Sequence, residues 1–276
     1  MDAADRDRFV ALLDFHVAAG VDVALDEEPH DRFAETAAAA EAAPRAAPPP
    51  RVLPGAAVEA PALPGLPPSP DVIVAEVRAK AAGAASLEEL RALLEAFDGC
   101  PLKASARQLV FSDGTAGSRV MLLGEAPGAE EDRTGKPFVG RAGQLLDRML
   151  AAIGLDRASV YIANVVPWRP PGNRTPTPQE VAVCLPFTLR QVELAKPDVL
   201  VTLGAPATQM VLGVKDGILR MRGRIQDHTV GARHLRVLPM LHPAYLLRNP
   251  VHKRFAWRDL RLLHRELDGG GPPPQL

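Results

Sequence analysis

Three polar residues each stand at the carboxyl end of a short apolar run. Glu125 follows Val120–Gly124, Asn164 closes the run that begins at Val160, and His242 follows Leu235–Leu241. A carboxylate, an amide and an imidazole together can hold a negative charge, read a hydrogen-bonding edge, and donate or accept a proton. Singly they say little, because a loop histidine is mostly solvated and an asparagine at a strand end mostly caps a neighbour. Their shared position carries the argument. Apolar runs of this length suit parallel strands buried on both faces, and open α/β sheets bind ligands beyond the carboxyl ends of their strands.

The stretch that positions the first of these residues is Val120–Leu146, VMLLGEAPGAEEDRTGKPFVGRAGQLL. It reads as a strand, a loop and the start of a helix. Gly124 and Gly128 bracket Glu-Ala-Pro, so the backbone can turn sharply and approach a ligand closely. An acidic cluster, Glu130, Glu131 and Asp132, precedes Gly135–Gly140. From Arg141 the apolar spacing is helical through Leu145, Leu146, Met149, Leu150 and Ile153. The stretch has neither the GxGxxG fingerprint nor the GxxxxGK[ST] phosphate loop. Alone it marks a site and no chemistry.

Along the chain, Asp5–Val23 carries Phe9, Leu12, Leu13 and Val17 at helical spacing, giving an amphipathic segment over residues 1–33. Residues 34–72 are dominated by Ala and Pro, a composition that predicts an extended linker. The main domain is expected over 73–267, with a tail at 268–276. Ser86 and Glu89 form a capping-box signature ahead of Leu90 and Leu94. Leu109–Phe111 reads as a short strand. Thr177, with Pro178 and Glu180, caps a helix running to about Ala195. Asp198–Leu203 is a third strand, Ile218–His234 a basic hairpin, Leu235–Leu241 a fourth core strand and Val251–Leu267 a closing helix. No repeat is present. Strands alternating with helices predict a parallel sheet covered on both faces.

The 47% hydrophobic content can build a core, and no apolar run is long enough to span a bilayer. The opening MDAADRDRF is polar and acidic, unlike a secretory signal. Cys100 and Cys184 are the only cysteines, which excludes a disulfide-rich scaffold and fits a cytoplasmic protein. Residues 1–75 hold 13 Asp/Glu against 5 Arg, whereas the rest holds 27 Lys/Arg against 20 Asp/Glu. The main domain is therefore basic, as a polyanion partner would require.

GEAPGAEEDRTGKPFVGRAGQLL, NVVPWRPPGNRTPTPQE and HPAYLLR resemble, in order and spacing, the three motifs of the family 4 uracil-DNA glycosylases. The resemblance covers roughly Cys100 to Leu267. It implies a three-layer α/β/α sandwich around a central four-stranded parallel sheet, and a DNA glycosylase that hydrolyses the bond between uracil and its sugar, opening base-excision repair. Carried over residue by residue, it implies Glu125 and His242 as catalytic groups, and Gly124, Ala126, Glu131, Phe138 and Asn164 around the base. Phe138 would supply a flat apolar face, and Asn164 would read the O4/N3 edge. Glu131 resembles a family residue near C5 of the base. Tyr245, Leu246, Leu247 and Arg248 would enter the duplex, at least one of the leucines packing in the core instead. Arg220, Arg222 and Arg224, with Arg233 and Arg236, would line a phosphate path unless they merely face solvent. The expected partner is uracil-containing DNA, bound by a monomer, with a possible protein partner for the N-terminal helix.

The chain departs from the family at one place. Family members resemble one another in four cysteines that hold a 4Fe–4S cluster. Here Cys100 and Cys184 match two of them, and Phe97 and Trp168 stand where the others would be. Two cysteines cannot supply four thiolates, so no metal cofactor is expected, and the two rings would pack as an apolar plug. Two further readings stand beside the enzyme: a non-catalytic paralogue that binds uracil or abasic DNA, and an unrelated nucleotide-binding α/β protein.

Overall fold

The computed structural model describes residue 10 and residues 70–231 and 233–269. The expectations for residues 1–33, for the linker as far as 69 and for the tail beyond 269 lie outside them, Val10 apart. The helices and strands run in the order α1 (Pro70–Gly83), α2 (Leu87–Ala96), α3 (Leu102–Ser105), β1 (Asp113–Gly114), β2 (Val120–Gly124), α4 (Ala129–Thr134), α5 (Arg141–Ala151), β3 (Tyr161–Asn164) and α6 (Pro178–Ala195). They continue as β4 (Val199–Leu203), α7 (Ala205–Leu212), α8 (Ile218–Met221), β5 (Gln226–Val230), β6 (Arg233–Met240), α9 (Pro243–Arg248) and α10 (Lys253–Leu267).

The sheet order is β1-β3-β2-β4-β6-β5. The inner four strands are parallel, and β1 and β5 add antiparallel edges. Every residue of β2, β3 and β4 is buried, so helices cover both faces. The two-residue period of a strand sorts the side chains. Met121, Leu123, Tyr161, Ala163, Leu200 and Val237 pack in one core with α1, α2 and α6. Val120, Leu122, Ile162, Val201, Leu203 and Leu238 pack in the other with α5, α9 and α10. Fully burying one such side chain is worth about 1.5–3 kcal/mol. The result is the three-layer sandwich.

Both expected caps form. The Glu89 amide donates to Ser86 Oγ at 3.1 Å, and the Glu180 amide to Thr177 Oγ1 at 3.3 Å. The Glu180 carboxylate returns to the Thr177 amide at 2.7 Å and pairs with Arg174, whose guanidinium holds its pKa down at about 2.

Two expectations are corrected. Leu109–Phe111 is not a strand. Val110 donates to Pro167 O at 2.9 Å and Phe111 packs in the core, while edge pairing passes to Asp113–Gly114. Glycine is needed there, because a Cβ on Gly114 (φ +87°) would lie 2.1 Å from Val160 O. Ile218–Met221 is a short helix, and the hairpin is β5 with β6. Helix α1 runs from Pro70 at the edge of the described residues.

Candidate active site

The carboxyl ends of β2, β3, β4 and β6 open on one cavity of about 610 Å³. Glu125, Asn164 and His242 all line it, together with Ala126, Gly128, Glu131, Phe138, Gly204, Tyr245 and Arg248. Residues far apart in sequence meet because parallel register brings Gly124 level with Asn164, and β4 level with β6.

Gly124 shapes the floor. A Cβ there would fall 2.4 Å from Asn164 Oδ1 and 2.6 Å from Phe138 Cζ, so glycine keeps open a slot between amide and ring. Phe138 is buried with a left-handed backbone (φ 54°), which a bulky residue adopts only when its surroundings compel it. Two neighbours do so. Gly143 on α5 admits the Phe138 carbonyl where a Cβ would lie 1.6 Å from its oxygen. Arg157 donates to that same carbonyl and, at 3.2 Å, to Pro137 O. Asp113 and Asp147 anchor the guanidinium at 2.7 and 2.8 Å. The Phe138 ring then lies 5.5 Å from the His242 ring.

Asn164 is only 4% exposed, yet no residue of the described chain hydrogen-bonds its side-chain amide. Buried amides ordinarily find partners, and this one lines the cavity where Gly124 leaves room beside its Oδ1. His242 caps α9, its Nδ1 accepting from the Ala244 amide at 3.1 Å. That bond leaves the proton of the neutral ring on Nε2. Burial pushes the imidazole pKa down to about 4, with Arg248 adding to the shift and Glu131 opposing it. At neutral pH His242 is thus an uncharged donor. Glu125 has one buried carboxylate oxygen without a partner. Burial raises its pKa, and a hydrogen bond with Thr175 opposes the rise.

The acidic cluster is spent on structure. Asp132 accepts from the Arg107 amide at 2.8 Å, and Glu130 pairs with Arg133 at 2.7 Å. Glu131 accepts from the amides of Gly128 (3.1 Å), Val139 (3.0 Å) and Gly140 (3.0 Å). It therefore fastens the Gly128 turn to the segment that carries Phe138. Sequence reasoning missed Gly143, Arg157 and Thr175. Only Gly143 left a sequence signal, as a glycine inside a helical pattern.

On the rim, Leu246 is 1% exposed and belongs to the core, while Leu247 is 36% exposed and Arg248 faces solvent. Tyr245 Oη and His252 Nδ1 lie 2.7 Å apart. The expected arginine path divides. Arg220 and Arg224 are exposed, Arg220 lying 3.5 Å from Asp216. Arg222 turns inward to a buried pair with Asp259 and also donates to Phe255 O at 2.9 Å, which removes it from the surface. Arg236 pairs with Glu266, and Arg233 donates to Pro197 O at 3.4 Å.

Away from the cavity, Cys184 donates to Cys100 across 3.7 Å, both thiols buried. That hydrogen bond and burial hold the Cys184 thiol well above its ordinary pKa. Phe97 stacks near Trp168 with centroids 6.4 Å apart and tilts on Phe187 at 5.2 Å. Among the described residues, no group of three or more His, Cys, Asp or Glu could hold a metal ion.

Residues 111–261 match the family described as the Uracil DNA glycosylase superfamily. A type-4 uracil-DNA glycosylase of Thermotoga maritima is 48% identical over 151 residues, covering 54% of this chain and 77% of its own length. The chain belongs to this family. A second type-4 uracil-DNA glycosylase, from Pyrobaculum aerophilum, is 36% identical over 189 residues, 67% of this chain and 94% of the relative. A third, from Archaeoglobus fulgidus, is 41% identical over 155 residues, 55% and 78% of the two chains. No helix among the described residues is long and apolar enough to cross a membrane.

Proposed function

We propose that this chain excises uracil from DNA as a monofunctional glycosylase and does so without an iron–sulfur cluster. The flipped base enters the slot beside Gly124 and lies on Phe138. The free amide of Asn164 pairs with O4 and N3–H, a donor–acceptor order that cytosine reverses. The bond between C1′ and N1 then breaks, and its electron pair stays on the base with charge developing on O2. The neutral Nε2–H of His242 donates to that oxygen. A donor fixed before the reaction and shielded from water stabilises such charge most effectively. Ionised Glu125 faces the cationic sugar and orients the water that adds to C1′, taking its proton. Among the described residues no lysine lines the cavity, and no step needs an amine nucleophile.

The buried amide of Asn164, lining one cavity with Glu125 and His242, carries this reading. Polar groups left open there are costly in the free protein, and a flipped nucleotide completes them. Glu131 acts by clamping the loops that close on the C5 side of the base. The family's cluster does not fit this chain. Where four thiolates would converge, two thiols hydrogen-bond each other, and Phe97 and Trp168 are already packed with Phe187. The partner is uracil-containing DNA, bound in the cytoplasm by a monomer.

The test is a duplex oligonucleotide with a single uracil, incubated with the protein and then treated with alkali. Strand scission by the wild type, reduced at least ~100-fold in Asn164→Ala, is expected for a lost specific contact of this kind. Equal scission by both would overturn the assignment of Asn164. Absence of scission by wild type that still binds the duplex would favour a non-catalytic role.

A further inference from the structure

Helix α10 carries two carboxylates, Asp259 and Glu266, and both turn inward or sideways to arginines of other elements, Arg222 and Arg236. Its outer side is left without compensation. Arg254, Arg258, Arg261 and Arg265 recur at steps of four, three and four residues, which is one helical face, and all four are exposed. None has a carboxylate partner among the described residues. Like charges at these spacings oppose the helix, and Lys253 and Arg254 in its first turn oppose the helix dipole, with no acid there to offset them.

The stripe is joined to the cavity. Tyr245, which lines the cavity, stacks on His252 at 5.5 Å and touches it through its hydroxyl. His252 packs on Phe255 at 5.2 Å, and the guanidinium carbons of Arg254 and Arg258 sit 4.9 and 6.0 Å from the Phe255 ring. A row of rings thus leads from the rim of the site to the first two arginines and holds them in place while their N–H groups remain free. From Arg254 to Arg265 the face extends about 16 Å at the rise of an α-helix. That equals the rise of roughly five base pairs along the axis of a duplex.

We propose that this face of α10 is a track for the phosphate backbone of the duplex beside the flipped nucleotide, in place of the arginines on and before β5 and β6. The proposal rests on the excision reading above. Arg248 begins the track at the mouth of the cavity, and the stripe continues it away from the lesion. The contacts carry no sequence information. They fix the register of the protein on the duplex while the pocket inspects one base.

The test compares wild type with a triple variant, Arg254→Gln with Arg258→Gln and Arg261→Gln. Affinity for a uracil-containing duplex is measured against salt concentration, and excision is measured on the same duplex and on a short single-stranded uracil oligonucleotide. Each phosphate contact contributes a slope of about 0.9 in log K against log salt, so the variant's slope should be shallower by up to about 2.7. KM for the duplex should rise roughly 10-fold or more at moderate salt, since lost ion contacts weaken binding steeply there. Its kcat, and excision from the short oligonucleotide, should stay within about twofold, which also shows the variant is folded. Arg91→Gln, whose side chain pairs with Glu95 on α2, should leave the slope unchanged. An unchanged slope in the triple variant, with wild type excising normally, would overturn the track. Wild type that binds duplex through the track but fails to excise would overturn the excision reading instead. A slope reduced equally by Arg91→Gln would show charge in general to be responsible and would also count against the track.

Discussion

The cavity and the aromatic corner around Phe97 and Trp168 are built on opposite principles. At the cavity, polar groups line an open space: the Asn164 amide, Glu125, one of whose buried oxygens has no partner, and the Nε2–H of His242. In the corner, Phe97, Trp168 and Phe187 fill space, and the two thiols satisfy each other. Polar groups left open at a cavity wall cost stability in the free protein. Packed rings supply stability. One region is the proposed place of binding and reaction; the other packs between α2 and α6. A substitution in one should change what the other leaves untouched.

The largest expected effect is on stability. Trp168→Ala removes a nearly fully buried ring and should cost about 3–5 kcal/mol. Chemical denaturation would measure it, and excision per folded molecule should persist. Loss of excision without loss of stability would break the contrast. Next comes His242→Ala. It removes the proposed donor to O2 and should lower kcat by about 10²–10³, or ~2.7–4 kcal/mol, with little change in melting temperature.

Smaller and opposite in sign is Glu125→Gln. Burial raises the pKa of Glu125, so its charged form is disfavoured in the folded protein. Its contribution to stability is greatest at acid pH and is lost as pH rises through that raised value. At neutral pH the variant should therefore be more stable than wild type, by roughly 1 kcal/mol for a buried group freed of its charge, while excising more slowly. The pH profile sharpens the same point. Excision by wild type should fall in acid as Glu125 protonates, at a pKa above its ordinary value. The His242 imidazole stays neutral down to about 4, so it sets no limb above that. Its own linkage runs the other way, with stability present above its unfolded pKa and lost as pH falls towards 4. A limb centred on the ordinary histidine range, retained in Glu125→Gln, would contradict both assignments.

The smallest effect concerns how the platform is held. Arg157→Lys keeps the charge beside Asp113 and Asp147 but loses the fork that reaches the Phe138 carbonyl. It should raise KM several-fold with kcat nearly unchanged. Loss of kcat alone would remove Arg157 from that role.

The three strand ends were legible because each of Glu125, Asn164 and His242 ends an apolar run, and parallel sheets align such ends. The support beneath them was not. Arg157 reaches Phe138 across 19 residues, and nothing local marks an arginine in a turn as the holder of a strained carbonyl. Arg222 looked like a surface cation because Asp259, its partner, lies 37 residues away. Leu109–Phe111 has strand composition, yet its backbone bonds are taken by the loop at Pro167. Composition sets what an element prefers, and distant partners decide whether it may form. The corner was half legible: Phe97 and Trp168 stood out in cysteine positions, but Phe187 as the third ring did not.

The most direct test of this division is the single-turnover rate of uracil excision on protein whose bound iron is measured in the same sample. It would be run as purified, after chelation, and after incubation with iron and sulfide under reducing conditions. One unchanged rate with no bound iron is the predicted result, because the cavity is complete without a cluster. Excision that appears only as iron is taken up would contradict the account and would show that the aromatic corner opens to hold metal after all.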